Sequence, residues 1–244
     1  MTTGQTPTIP DDVFQEAVQG FWDTRIAQAQ AQVLAGKVDQ GNRSAVTGGK
    51  QMDGFILTLT NFLLSAGVPQ EHIHVKKSLT VIPGFFRPTK MYDFLVINPE
   101  KRQLKVVIEL KSQVGSFGNN FNNRTEEAMG AALDIWTAYR EGVFGEAPPP
   151  PWLGYLFVLE DSPTSRNPVQ FAEPHFPVLP EFRGASYAKR YELFCQKMVR
   201  ERHFTAACFL VTGREQAAQN PNYTEPCPEL SAANFLEQLI RHAL

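Results

Sequence analysis

Glu109 and Lys111 stand one residue apart in the run Val106-Val107-Ile108-Glu109-Leu110-Lys111. Alternate side chains of an extended strand share a face, so an acid and an ammonium project to one side while Ile108 and Leu110 point to the other. Asp93 interrupts a second apolar run, MYDFLVIN at 91–98, and the turn-forming sequence NPEKR joins the two runs as an antiparallel hairpin. The start of one hairpin strand faces the end of the other, which lets Asp93 approach Glu109 and Lys111. Two carboxylates side by side are costly unless a cation neutralises them, and Mg²⁺ prefers one or two carboxylates with waters and phosphate oxygens. The trio therefore suits a divalent metal. The plain alternative is an ion pair at the end of a hairpin, because an acid-x-Lys triplet arises about once by chance in a chain of this length.

Other elements must position these residues. From Asp12 to Ala35 the residues Phe14, Val18, Trp22, Ile26, Ala29 and Val33 recur at helical spacing before Gly36, and Met52, Phe55, Ile56, Leu59, Phe62 and Leu63 mark a second helix ending at Gly67. Strands are predicted at 72–82, 91–98 and 103–114. After the Gly- and Asn-rich segment GSFGNNFNN, Asn123 and Glu126 signal a helix running to about Glu141, with Met129, Leu133 and Trp136 as its buried stripe. Four prolines precede a buried strand at 154–161, which returns parallel to an earlier one. A proline-studded loop, a helix from Ser186 to about His203, the strand AACFLVT and a helix bearing Phe235, Leu236, Leu239 and Ile240 complete the chain.

The order helix, three strands, helix, strand around Asp93 and Glu109-Leu110-Lys111 resembles the core of the PD-(D/E)xK nuclease superfamily. The segments AVTGGKQMD at 45–53, FFRPTKMYD at 85–93, IELKSQVGSFGNNFNNRTEEAMG at 108–130 and EPHFPV at 173–178 are similar to the XhoI-type type II restriction endonucleases, over nearly the whole chain. Tyr92 stands where the superfamily pattern has a nominal proline. The resemblance implies an α/β fold with a restriction-endonuclease-like core, a mixed central sheet flanked by helices. It places one nuclease domain over 1–244, its catalytic core at about 48–161, with the helix at 12–35 and the region 183–244 packed on it. By position, Asp93 and Glu109 would hold Mg²⁺ with the Leu110 carbonyl, and Lys111 would contact the attacking water and the scissile phosphate. Asp53 is the candidate for an additional acid from the preceding helix, or a helix-start acid with no metal role. A free lysine titrates near ~10.4, so Lys111 is expected to orient and stabilise charge first. The implied activity is Mg²⁺-dependent cleavage of duplex DNA at the palindrome CTCGAG by a homodimer, leaving four-base 5′ TCGA overhangs, alongside a methyltransferase that protects the host; the alternatives are a PD-(D/E)xK nuclease of other specificity or repair role, and a non-cleaving DNA-binding module on the same fold.

Base reading falls to the segment after the third strand. Asn119, Asn120, Asn122, Asn123, Arg124, Glu126 and Glu127 carry the chemistry for adenine, guanine and cytosine edges. Turn formation and capping are their alternative roles. Gln113 is counted with these DNA contacts, while Arg87, Lys90, Lys189 and Arg190 are expected on phosphates.

Composition bounds the rest. The chain has 244 residues, 43% hydrophobic and 20% charged, with 18 phenylalanines, which excludes a disordered polyelectrolyte and leaves room for a full core. No run is long enough to cross a bilayer and the N-terminal residues lack a secretory signal, so a cytoplasmic location is expected. The net charge of -2 requires any phosphate-binding charge to be local, as it is at 76–90 and 183–203. Three cysteines are too few for a disulfide scaffold. Gly48-Gly49-Lys50 lacks the rest of a phosphate loop, and His72 with His74 lacks a third ligand at useful spacing. The stripe Tyr187, Tyr191, Phe194 and Met198 reads as core or dimer contact.

Overall fold

The computed structural model describes residues 7–34, 50–214 and 222–244. Its helices are α1 (Gln15–Leu34), α2 (Asp53–Ser65), α3 (Phe117–Arg140), the single turn α4 (Pro163–Arg166), α5 (Tyr187–Arg200) and α6 (Ala232–Ala243). The strands are β1 (Ile73–His74), β2 (Val81–Pro83), β3 (Thr89–Met91), β4 (Phe94–Asn98), β5 (Gln103–Gln113), β6 (Trp152–Glu160) and β7 (Ala206–Thr212). Five of them form one mixed sheet in the order β1-β4-β5-β6-β7, and β2 pairs with β3 as a separate ribbon. The expected hairpin is β4 and β5, antiparallel from Phe94↔Ile108 to Asn98↔Gln103, and β6 and β7 add in parallel.

A parallel strand covered on both faces must be apolar throughout. Accordingly β7 and all of β6 but Glu160 are buried. One face packs on Phe14, Phe21 and Trp22 of the α1 region, Phe55 and Leu59 of α2, and Phe235 and Leu239 of α6. The other packs on Ala128, Ala132 and Ile135 of α3 and Tyr191 and Phe194 of α5. The aromatic stripe of α5 is thus core. Val107, Tyr155 and Phe157 belong to this second layer, so alternation sends Glu109 and Lys111 toward α3. Gly154 is required where β6 passes under Trp152: an added Cβ would collide with that indole and lie 2.8 Å from the Phe235 ring.

Five sequence expectations are corrected. The run 72–82 is not one strand, because Leu79 and Thr80 donate their amides to the Lys76 carbonyl and turn the chain between β1 and β2. The run 91–98 breaks at Tyr92 and Asp93, where the ribbon ends and the sheet begins. Helix α3 starts at Phe117, about two turns before Asn123, because Phe117 is buried and stacks on Tyr187 with centroids 5.8 Å apart. That packing outweighs the turn preference of the Gly-Asn segment. The inward stripe of α3 is Ala128, Ala131, Ala132, Ile135 and Ala138, whereas Met129 and Leu133 are exposed. Small residues let the helix approach the sheet closely, and Trp136, half-buried at its edge, donates to the His203 carbonyl at 2.9 Å. In α1 the buried face includes Phe21 and Arg25, with Ile26 half-buried and Ala29 exposed. The Val33 side chain, the loop at 36–49 with Gly48 and Gly49, and the first part of AVTGGKQMD lie outside the described residues.

Candidate active site

Three elements meet at the end of β4. The β4–β5 ladder stops at Phe94↔Ile108, so the main chain of β5 beyond Ile108 has no β4 partner. Asp93, in the bend before β4, fills that gap: its Oδ2 accepts the Leu110 amide at 2.8 Å. In a strand the amide and carbonyl of one residue point to the same side, so the Leu110 carbonyl faces the same edge. Glu109 and Lys111 reach the centre from β5, with Lys111 Nζ 2.6 Å from Glu109 Oε2 and 3.4 Å from Asp93 Oδ2. Lys90, from the β2–β3 ribbon, is ion-paired with the other Glu109 oxygen, Oε1.

Electrostatics follows from burial and these contacts. Burial and the nearby Glu109 raise the Asp93 carboxyl above its usual range, against the opposing pull of Lys111 and the Leu110 amide. Burial also works to raise Glu109, but Lys111 and Lys90 outweigh it and hold that carboxyl below its usual range. Burial would lower Lys111, yet Glu109 and Asp93 prevail and push it up to about 12. Glu109 is therefore ionised and Lys111 is an ammonium at neutral pH.

The donor set fits a hard divalent cation. Asp93 Oδ2 and Glu109 Oε2 already share one cationic group, the Lys111 ammonium, so both carboxylates can reach a common positive centre. Among the described residues no group of three His, Cys, Asp or Glu side chains gathers to hold a metal. Asp93, Glu109 and the Leu110 carbonyl could offer two carboxylates and a main-chain oxygen, a set that suits a cation keeping water and phosphate in its other positions.

The remaining candidates divide by what they already touch. Asp53 is exposed at the start of α2, and no hydrogen bond or ion pair joins it to the trio among the described residues. Arg87 is paired with Asp134 at 3.0 Å. Gln113 is buried and donates its amide to the Gly115 carbonyl at 2.5 Å. Asn120 bonds back to the Ser116 carbonyl at 3.0 Å, and Arg124 pairs with Glu127 at 2.7 Å. Asn119, Asn122, Asn123 and Glu126 lie not on a loop but along one exposed helical face of α3, at spacings of three, one and three. Lys189 is exposed and paired with Glu192 at 2.7 Å, while Arg190 donates to the Val169 carbonyl at 2.8 Å and lies over the Tyr187 ring.

Sequence reasoning missed Asp134. It is buried in the middle of α3, where its Oδ1 accepts the amides of Phe85 and Phe86 at 2.9 and 2.8 Å. This carboxylate clasps the tip of the β2–β3 ribbon to the helix, and so steadies the element that carries Lys90 toward Glu109. A lone acid on a helix carries no local mark of such a distant partner.

The family described as restriction endonuclease XhoI matches residues 31–225 of this chain. The chain is 50% identical over 208 residues to the type II restriction enzyme BstVI of Geobacillus stearothermophilus, covering 84% of this chain and 92% of that protein. It is 42% identical over 191 residues to the type II restriction enzyme XhoI of Xanthomonas vasicola, covering 78% of this chain and 75% of that protein. It is 48% identical over 163 residues to the type II restriction enzyme AbrI of Azospirillum brasilense, covering 66% of this chain and 72% of that protein. No solved structure matches it. A mixed α/β sheet flanked by helices is here the restriction-endonuclease-like core of a type II site-specific deoxyribonuclease. The chain belongs to the XhoI restriction endonuclease family.

Proposed function

We propose that the chain is an Mg²⁺-dependent phosphodiester hydrolase that cuts duplex DNA at the palindrome CTCGAG, leaving 5′ TCGA overhangs. The observation that carries the chemistry is the convergence of Asp93, Glu109 and Lys111 at the open end of β4. The choice of sequence rests on the family resemblance.

In this reading Asp93, Glu109 and the Leu110 carbonyl hold the metal. A divalent cation held there would supply Lewis acidity to the phosphate and charge stabilisation to the leaving 3′ oxygen. Lys111, kept as an ammonium by its two acids, orients the attacking water and adds positive charge where the phosphorane-like transition state gains negative charge. The exposed face Asn119, Asn122, Asn123 and Glu126 offers amides and a carboxylate to base edges. Arg87, Lys90, Lys189 and Arg190 are proposed for phosphates, and Gln113, Asn120 and Arg124 for bases, each with donors or acceptors beyond the one engaged by its internal partner.

A palindrome asks for two-fold protein symmetry, hence a homodimer, with the whole chain acting as one nuclease unit. A cognate methyltransferase in the same cytoplasm would protect host sites. Among the described residues no helix is long and apolar enough to cross a membrane.

The test is incubation of purified protein with a plasmid bearing one CTCGAG, in Mg²⁺ and in EDTA, with sequencing of the ends. Linear product with TCGA overhangs in Mg²⁺, absent for Glu109→Ala, is expected. Cuts at another sequence would overturn the specificity alone. Folded protein that binds DNA in Ca²⁺ without cutting in Mg²⁺ would make it a binding module.

A further inference from the structure

Lys90 is not one of the trio that the sequence singles out, yet it is as close to Glu109 as Lys111 is. Its ammonium is ion-paired with Glu109 Oε1 and lies 4.3 Å from the centre of the Tyr92 ring. Tyr92 is buried, and its hydroxyl donates to the Ala131 carbonyl of α3 at 3.5 Å. The lysine thus has a built seat between an aromatic face and a buried carboxylate, and its side chain is only 17% exposed. A lysine serving only as a flexible surface contact for phosphate would need neither.

The four charged side chains of the cluster balance. Asp93 and Glu109 are matched by Lys90 and Lys111. A doubly charged cation entering this group therefore meets two ammoniums, one on each Glu109 oxygen. Lys111 bridges both carboxylates from within the central sheet, whereas Glu109 is the one carboxylate that Lys90 pairs with among the described residues, and Lys90 comes from a ribbon that shares no ladder with that sheet. Lys90 is the ammonium whose withdrawal from Glu109 leaves the contacts of Lys111 with both carboxylates intact.

We propose that Lys90 is a positioning residue of this site: a built-in counter-ion that holds Glu109 in the metal-free protein and yields Glu109 Oε1 to an incoming divalent cation. The inference rests on the reading of Asp93 and Glu109 as the metal-holding pair. It makes the metal-free site self-neutralised, so that the DNA-free protein binds divalent cations weakly.

Lys90→Met keeps the aliphatic stem over Tyr92 and removes the charge, while Lys90→Arg keeps the charge. Ca²⁺ and Mn²⁺ are titrated calorimetrically into each full-length protein without DNA, and thermal unfolding is followed in EDTA and in Ca²⁺. Lys90→Met is expected to bind Ca²⁺ about tenfold more tightly than wild type, since one repelling charge is gone. It should also unfold at lower temperature in EDTA and recover in Ca²⁺, with Lys90→Arg following wild type in both. In a Glu109→Gln background, Lys90→Met should no longer change Ca²⁺ affinity. No gain in Ca²⁺ or Mn²⁺ affinity, or a loss of stability that Ca²⁺ does not restore, overturns the proposal. If Lys90→Met does not fold in EDTA, recovery on adding Ca²⁺ supports the counter-ion role and failure to recover overturns it. Cleavage of DNA in Mg²⁺ by wild type separates the two ideas, because a protein that cuts yet shows none of these effects keeps the proposed function and loses only the role of Lys90.

Discussion

The Leu110 amide donates to Asp93 Oδ2 at 2.8 Å, so the residue between Glu109 and Lys111 holds the third member of the trio in place. The contact has a simple origin. Strand β4 begins at Phe94, one residue after Asp93, and the carboxylate takes the Leu110 amide where the β4–β5 ladder has stopped. Several expectations depend on that arrangement.

Replacing either carboxylate by its amide keeps the shape and removes a hard anionic donor. Asp93→Asn and Glu109→Gln are each expected to slow single-turnover cleavage in Mg²⁺ by about 10³-fold or more, in line with the loss of a main electrostatic contribution. Binding of duplex DNA should survive, because the α3 face proposed to read bases is untouched. Cleavage within tenfold of wild type for both variants would remove the pair from the chemistry.

Lys111 gives a pH expectation with a definite sign. Its folded value lies near 12, above the ordinary 10.5, so the stability that it adds is fully present below the ordinary value and is lost as pH rises through the folded one. The difference in unfolding temperature between wild type and Lys111→Met, measured in EDTA, should stay level from about pH 7 to 10 and shrink above that. A difference that vanishes below pH 9 contradicts the paired ammonium, and a base role at neutral pH would regain standing.

The Asp134 clasp predicts a stability loss far from the reacting atoms. Asp134→Ala leaves two amides and Arg87 without their acceptor, and should destabilise the protein by about 3 kcal/mol in urea unfolding. Hydrogen exchange should rise at Phe85 and Phe86 before the rest of the chain. Unchanged exchange at those amides would show that the ribbon tip is held by other contacts.

The asparagines after β5 should separate into two classes. Asn122→Ala and Asn123→Ala, on the exposed face of α3, are expected to weaken cognate DNA binding in Ca²⁺ by about 1–3 kcal/mol each while leaving stability within about 0.5 kcal/mol. Asn120→Ala removes the bond to the Ser116 carbonyl and should act mainly on stability. Equal losses of DNA affinity at all three positions would dissolve the distinction.

Much of the fold was legible because its signals are local. The continuous apolar runs of β6 and β7, the turn sequence of the β4–β5 hairpin and the periodic faces of α2 and α6 each identify their element without help from the rest. The start of α3 was not legible, since Asn and Gly favour turns and only the stacking of Phe117 on Tyr187 draws them into the helix. Its buried stripe was misread for a related reason: Met129 and Leu133 look like core, but packing turns Ala128, Ala131, Ala132, Ile135 and Ala138 inward and leaves those two exposed.

By itself the sequence determined that Glu109 and Lys111 share a face and that a hairpin brings Asp93 toward them, because alternation and turn length are properties of the local chain. Only the tertiary structure decided that Asp93 sits in a bend capping the end of β4, that Lys90 belongs to Glu109 and not to the surface, and that Asp134 clasps the ribbon. Those contacts join residues 17 to 49 positions apart, or elements with no ladder between them. Their partners are chosen by packing and by the high cost of an unpaired buried charge, and neither leaves a trace in local spacing.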